Sequence, residues 1–402
     1  MTTDDAAGSA AGRPALGPLS GFQDEIYLQG LLEDRVPAYP TDGAALEDAA
    51  RAVLADGPFW YVAGAAGTGA TARANREAFD RWAIVPRMLR DVSTRSLART
   101  VLGTEMTAPL LLAPVGVLSI VHEGAESAAA RAAAALGLTS VLSTASSTPM
   151  EDVAAAAGDG ARWYQLYWPR EEAVAASLLA RAKAAGFTTL MVTLDTGLLG
   201  WRPHDLDRSY LPFLRSVGIA NYLTDPAFRA GLAKPADEDP FGAVAHWAGM
   251  FSNPAATWEH LPFLRAHWDG PIVLKGVLHP DDARQARDAG MDGVVVSNHG
   301  GRQVDGAIAA LDALPGVVDA VGDDLTVLFD SGVRTGADIA KALALGARAV
   351  LVGRAYAYGL ALGGEDGVRH VLRCLMAELD LTTALSGHAT VDGLTRDALV
   401  RR

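Results

Sequence analysis

The chain has 402 residues, half of them hydrophobic, and a net charge of −13 from 34 basic and 47 acidic side chains. That is enough chain for a large core, in two or three domains or in one α/β barrel with insertions. An acidic chain repels phosphate polymers, which excludes a general nucleic-acid binder while leaving room for a local basic pocket. The single cysteine, Cys374, cannot form an internal disulfide, which fits a reducing compartment. The opening "MTTDDAAGSAAGRPALGPLS" lacks the basic start and apolar run of a signal peptide. No run reaches the roughly 18 apolar residues that span a bilayer, and the terminal "LVRR" is no peroxisomal tail. A cytoplasmic protein without a membrane partner is expected.

In chain order, residues 1–107 read as an extended arm with one or two helices, packed on the remainder of the chain. Within them, "GTGATA" (67–72) fits the dinucleotide fingerprint G-x-G-x-x-A, but no parallel βαβ unit succeeds it, so it reads as a turn into a helix. Eight β-branched runs come next, at 108–116, 139–144, 162–167, 189–196, 271–277, 293–299, 326–332 and 349–354. They are near-continuously apolar, as strands buried on both faces are. Ala/Arg/Glu-rich helical stretches separate them, and four of these end in Gly137, Gly186, Gly290 and Gly346 just before a strand. Eight such units predict an α/β fold, a (β/α)8 TIM barrel over 108–402, in preference to an open doubly wound sheet. A long segment after the fourth strand, 197–256, is rich in Trp, Tyr, Phe and Pro and is expected to be a loop insertion acting as a lid.

Chemistry in such barrels sits at the C-terminal strand ends. Those ends hold Pro114 and Gly116, Ser143 and Thr144, Gln165 and Tyr167, Thr193 and Asp195, Lys275, His299 and Arg302, Asp330 and Arg334, and Gly353 and Arg354. One polar tip is commonly a satisfied core group; eight in register are not readily explained that way. Lys275 stands out because the chain has four lysines among its 34 basic residues, and this one ends an apolar strand. It needs an anionic partner, either a structural carboxylate or a ligand. The last two tips, "DSGVRTG" and "VGR", match the phosphate site of barrels: Gly332 and Gly353 admit backbone N–H groups, and Arg334 and Arg354 supply charge. There is no GxxxxGK[ST], HExxH or CxxC, and no metal site is expected.

The densest cluster is "SNHGGRQVDG" (297–306). An imidazole suits proton removal near neutral pH, and a guanidinium suits a bidentate grip on a carboxylate. Asp195 can stabilise the imidazolium of His299, and Arg202 in "GWRPHD" offers a second grip beside Arg302. The residues read as a base next to a carboxylate clamp, near a phosphate-bearing cofactor.

These motifs resemble the FMN-dependent L-2-hydroxy acid oxidases, the family of glycolate oxidase, lactate oxidase, lactate monooxygenase and the flavocytochrome lactate dehydrogenases. The resemblance runs from "YVAGAAGT" to "RCLMAELDLTTALSG", with each strand-end motif in the family's order. It implies FMN as cofactor, His299 as catalytic base and Asp195 as its partner. Arg202, Arg302 and Tyr61 would hold the substrate carboxylate, and Tyr167 the substrate oxygen. Lys275 would face the flavin N1–C2=O edge, and the backbone of Pro114, Val115 and Gly116 would meet N5. Ser143, Gln165, Thr193 and Ser297 would join the isoalloxazine contacts. Asp330, Gly332, Arg334, Gly353 and Arg354 would hold ribityl and phosphate.

Within the family the chain most resembles the lactate 2-monooxygenase branch, on "DEIYLQGL", "LDTGLLGWRPHDL", "PFLRS" and "NYLTDPAF". Gly116 replaces the family's common alanine at the flavin face, as in that branch, and Ala145 stands where glycolate oxidase has tryptophan. The resemblance implies a small 2-hydroxy acid and O2 as reactants, with L-lactate going to acetate, CO2 and water. It also implies a homotetramer or homo-octamer. The alternatives are an oxidase releasing the 2-oxo acid and H2O2, another FMN barrel such as an isomerase, and a non-catalytic flavin binder. A nucleotide-dehydrogenase type needs a loop cysteine, whereas Cys374 falls in a late helix.

Overall fold

A computed structural model describes residues 19–402; residues 1–18, the first part of the N-terminal extension and of the signal-peptide reading, lie outside the described residues. Eight parallel strands succeed one another around a closed barrel. They are β1 (Leu110–Leu112), β2 (Thr139–Ser143), β3 (Arg162–Tyr167), β4 (Leu190–Thr193), β5 (Ile272–Val277), β6 (Gly293–Val296), β7 (Thr326–Phe329) and β8 (Ala349–Val352). Closure is made by β8 on β1, with Val350 opposite Leu110. The barrel predicted from the sequence is the fold.

The pleat explains the apolar runs. One set of side chains, Leu111, Val141, Trp163, Met191, Val273, Val295, Leu328 and Leu351, fills the barrel interior. The alternate set, among them Leu110, Leu142, Tyr164, Val192 and Leu274, packs into the helical layer. Both faces are buried, so neither alternates with polar residues. The strands are shorter than the runs. The run over 108–116 holds a strand only at Leu110–Leu112, and Pro114, which has no N–H to donate to a ladder, lies in the loop beyond. Of the predicted tips, Ser143, Gln165, Tyr167, Thr193 and Lys275 belong to the strands, whereas Pro114, Gly116, Asp195, His299, Arg302, Asp330, Arg334, Gly353 and Arg354 lie beyond the strand ends. Gly137, Gly186, Gly290 and Gly346 all have positive φ, as expected where helices hand over to strands.

The N-terminal extension holds more structure than one or two helices. Among the described residues four are present, Gly21–Glu33, Gly43–Val53, Asp56–Ala63 and Ala70–Asp80. "GTGATA" is a turn into the last of these, with Gly69 at φ 75° as its N-cap. A hairpin of Arg99–Val101 and Thr104–Met106 closes the N-terminal end of the barrel, where Thr104 accepts a hydrogen bond from the Trp163 indole at 3.0 Å.

The expectation of a loop over 197–256 is corrected. The segment contains helices Pro203–Asp207, Ala220–Leu223, Pro226–Ala230 and Pro240–Phe251. Its Phe213, Ile219, Tyr222, Phe228, Trp247 and Met250 are all buried, in a core continuous with the helical layer. The Asn221 side chain docks it: its oxygen accepts from the Met150 N–H at 2.8 Å, and its amide donates to the carbonyls of Thr144 (3.2 Å) and Ser143 (3.4 Å). The aromatic richness that suggested a lid is mostly this packing. Residues 194–202, where the segment begins, lack helix and strand, and there Leu198, Leu199 and Trp201 are exposed. No helix among the described residues is long and apolar enough to cross a membrane.

Candidate functional site

One cavity opens at the C-terminal mouth of the barrel. Its lining includes Tyr61, Pro114, Val115, Gly116, Tyr167, Arg202, Lys275, His299, Arg302, Asp330, Gly332, Arg334, Gly353 and Arg354. Ser143, Gln165, Thr193 and Ser297 are buried and do not line it; they sit at or just past the ends of β2, β3, β4 and β6. Asp195 stands behind His299.

The His299–Asp195 pair is built from three strand ends. His299 Nδ1 lies 2.8 Å from Asp195 Oδ1. Asp195 can approach because β5 carries an irregularity between Lys275 and Val277, where Gly276 has φ 106°. A Cβ on Gly276 would fall 2.9 Å from the Asp195 side chain, so any larger residue would displace the carboxylate. His299 itself sits at φ 58°, in the left-handed region a non-glycine residue rarely occupies. Its neighbours hold it there: Ser297 Oγ accepts the His299 N–H at 3.1 Å, and Ser331 Oγ accepts the Gly300 N–H at 3.0 Å. Asn298 is locked by paired side-chain amides with Asn75, at 2.7 and 2.8 Å.

Burial lowers the His299 pKa below its ordinary value, and the Asp195 carboxylate restores it only in part. Burial alone would raise the Asp195 carboxyl, but His299 and then Lys275 hold it below the usual carboxylate range. At neutral pH the pair is therefore a neutral imidazole and an ionised carboxylate. A carboxylate only accepts, so Nδ1 carries the proton and Nε2 keeps a free lone pair. Burial pushes the Tyr167 phenol up to about 12 and raises Tyr61, so both stay protonated and can donate.

The cationic side is unusual in having no counter-ions. Among the described residues, Arg202, Arg302, Arg334 and Arg354 make no ion pair. Arg302 donates to the Gly64 carbonyl at 2.9 Å and stacks over Tyr61. Arg354 donates to the carbonyls of Gly64 (2.7 Å), Val62 (3.0 Å) and Gly300 (3.0 Å). Burial, and after it the charges of Arg202 and Arg354, pushes Arg302 down to about 9. Buried like charges are costly unless an anion sits among them, and this cavity can take a carboxylate at one end and a phosphate at the other.

The polar groups around the cavity fit a flavin. Gln165 Nε2 and Thr193 Oγ1 are buried with no hydrogen-bond partner, and a buried amide or hydroxyl left unpaired costs about 1–3 kcal/mol. Lys275 donates to Ser297 Oγ at 3.0 Å and pairs with Asp330 at 3.1 Å, leaving one of its three protons free. Burial opposes its charge, yet Asp330 and Asp195 raise its pKa, so it stays an ammonium. Unpaired donors, a fixed cation and an arginine-lined end suit a flavin mononucleotide. The partner of Lys275, open in the sequence, is Asp330, whose other oxygen accepts from the Ser331 hydroxyl at 2.7 Å.

Several site residues escaped the sequence reading. Phe213 and Phe251 of the insertion line the cavity with Thr196 and Leu199, and no spacing links them to the barrel. Asn75 positions the loop through Asn298, and Ser331 both positions Gly300 and lines the cavity. Gln303 lies inside "SNHGGRQVDG", but its amide carries no charge to mark it.

Comparison with known proteins identifies the family. The family described as FMN-dependent dehydrogenase matches residues 50–401. An FMN-dependent alpha-hydroxy acid dehydrogenase of Penicillium citrinum is 50% identical over 383 residues, covering 94% of this chain and 95% of its own. An L-lactate oxidase of Lysinibacillus sphaericus is 43% identical, covering 90% and 93%. Among solved structures, mandelate oxidase with (S)-4-hydroxymandelic acid aligns with a TM-score of 0.81 at 40% identity, covering 90% of this chain and 99% of that one. With its barrel, its histidine- and arginine-lined mouth and these relatives, the chain belongs to the FMN-dependent 2-hydroxy acid oxidase and dehydrogenase family, as a flavin-dependent oxidoreductase whose cofactor is FMN.

Proposed function

We propose that the protein is an L-lactate 2-monooxygenase, converting L-lactate and O2 to acetate, CO2 and water. The observation that carries the oxidation is the neutral His299, held by Asp195 at 2.8 Å and lining the same cavity as two arginines without counter-ions. Arg202 and Arg302 grip the substrate carboxylate, with the Tyr61 phenol as a further donor. His299 Nε2 takes a proton from the substrate, and Asp195 stabilises the imidazolium that forms. Tyr167, still protonated, donates to the substrate oxygen. FMN, when bound, would supply the two-electron redox chemistry that links the substrate to O2. Lys275 would place fixed positive charge beside it, and Arg334 and Arg354 with the glycines of the last two loops would hold its phosphate.

The finer outcome depends on whether pyruvate leaves before peroxide reaches it. Pyruvate and hydrogen peroxide held in one pocket yield acetate, CO2 and water. Retention is favoured by the docked insertion, which puts Phe213, Phe251 and Leu199 over the cavity. The second reading is an oxidase that releases pyruvate and H2O2; the similarity to an L-lactate oxidase favours it. Product analysis after aerobic turnover with L-lactate separates them. Acetate and CO2 with little peroxide support the monooxygenase, whereas one peroxide per lactate makes the protein an oxidase.

A further inference from the structure

We infer that Gln303 is a positioning residue that ties the irregular segment 195–202 to the catalytic loop and so sets Arg202 for substrate. This rests on the reading of Arg202 as part of the carboxylate clamp. The amide uses its full hydrogen-bonding capacity. Nε2 donates to the Asp195 carbonyl at 2.6 Å and to the Leu198 carbonyl at 2.9 Å. Oε1 accepts from Arg202 Nη2 at 2.9 Å and from the Gly200 N–H at 3.3 Å. Two donors and two acceptors fix the amide's orientation, and no other side chain of this length offers both.

The segment has little else to order it. It lacks helix and strand, and it exposes Leu198, Leu199 and Trp201 to solvent. Its other ties include the Asp195 pair with His299 at 2.8 Å, the Trp201 carbonyl, which accepts from the Gly67 N–H at 2.8 Å, Arg202 Nε, which donates to the Arg302 carbonyl at 3.1 Å, and the Arg202 carbonyl, which accepts from the Asp205 and Leu206 N–H groups. Arg202 is only 5% exposed yet has no carboxylate partner, so its placement depends on neutral acceptors. Gly200 shows how closely the segment lies on the catalytic loop: a Cβ there would fall 2.5 Å from the Arg302 carbonyl oxygen and 2.8 Å from that of Gln303. The amide thus acts on the substrate end of the cavity through Arg202, while the Lys275 and Arg354 ends are held by other contacts.

The test uses the FMN-loaded enzyme and two variants. Gln303→Met keeps the length and removes all four hydrogen bonds; Gly200→Ala keeps the amide and pushes the segment away from the loop. Both should raise KM for L-lactate at least about 10-fold, with kcat changed less than about 3-fold. The Kd of pyruvate, read from the flavin absorbance of the resting enzyme, should rise in parallel, and FMN content should stay at the wild-type level. Unchanged KM and pyruvate Kd in either variant that retains FMN overturns the inference, as does a fall in kcat alone. A wild-type holoenzyme that oxidises no 2-hydroxy acid overturns the functional reading instead.

Discussion

At His299 two opposing effects meet, and their balance sets the protonation state on which the proposed reaction depends. Burial outweighs the Asp195 carboxylate, so the imidazole is neutral at neutral pH. Flavin reduction should hold constant above the ordinary imidazole pKa and fall as pH drops through the lowered value. The same shift sets the sign for stability. The unfolded imidazole takes up a proton near pH 6.5 that the folded one resists, so folding stability declines as pH falls through that value. His299→Ala should slow anaerobic flavin reduction by about 10²-fold or more, the scale of a lost general base, while FMN stays bound. Stopped-flow traces at the wild-type rate would remove His299 from the role. Lys275→Met removes the ammonium and leaves the buried Asp330 carboxylate without a cation, with the Ser331 hydroxyl still donating to it. Both the flavin potential and the reduction rate should fall; an unchanged potential would make the Lys275–Asp330 pair structural only.

Among the elements, the insertion and the loop after β1 meet at one place. A Cβ on Gly116 would sit 2.7 Å from the Ala145 carbonyl oxygen, which also accepts the Val117 N–H at 2.9 Å. Gly218 of the insertion presses on the same spot, with a Cβ position 2.2 Å from Val117. The glycine at 116 therefore lets two loops close on each other, and the methyl it lacks would meet Ala145 and not open space. Gly116→Ala must displace the loop after β1, and it should shift products from acetate toward pyruvate and peroxide; unchanged stoichiometry would separate Gly116 from the outcome. Asn221→Ala removes three hydrogen bonds that dock the insertion and leaves the Met150 N–H unpaired. A loss of about 1–3 kcal/mol is expected, measurable by urea titration, with more peroxide escaping per lactate. Wild-type stability and stoichiometry together would show that the insertion is held by its apolar packing alone.

For the molecule as a whole, ligand binding and folding are coupled. Four arginines without counter-ions share the mouth, so the apoprotein carries electrostatic strain that FMN phosphate and a substrate carboxylate relieve. A ligand at 100 times its Kd stabilises by about 2.7 kcal/mol. Removal of FMN should lower Tm by several degrees, and oxalate should raise the Tm of the holoenzyme further. Equal melting of apo and holo forms would show that the arginines are compensated in some other way.

The barrel was legible because its cause is local. A strand covered on both faces must be apolar throughout, and eight such runs, four with a helix-closing glycine before them, repeat along the chain. The charged site residues were legible for a related reason: an apolar strand tolerates Lys275, Asp195 or Arg354 only where its end reaches a polar mouth. The insertion was not legible because Trp, Tyr and Phe are equally suited to a lid and to a small core, and only the bonds of Asn221 across about 70 residues of chain distinguish the two. Gln303, Asn75 and Ser331 were invisible as individuals, since a neutral side chain acquires a role only from the partners it meets. The amino-acid sequence by itself determined the barrel and marked His299, Lys275 and the arginines of its mouth, because periodicity and buried charge leave marks in composition. The tertiary structure alone decided that Asp330 answers Lys275, that Gly276 makes room for Asp195 and that Gln303 holds Arg202. Each of these is a hydrogen bond or close approach between segments distant in the chain, and no local pattern encodes it.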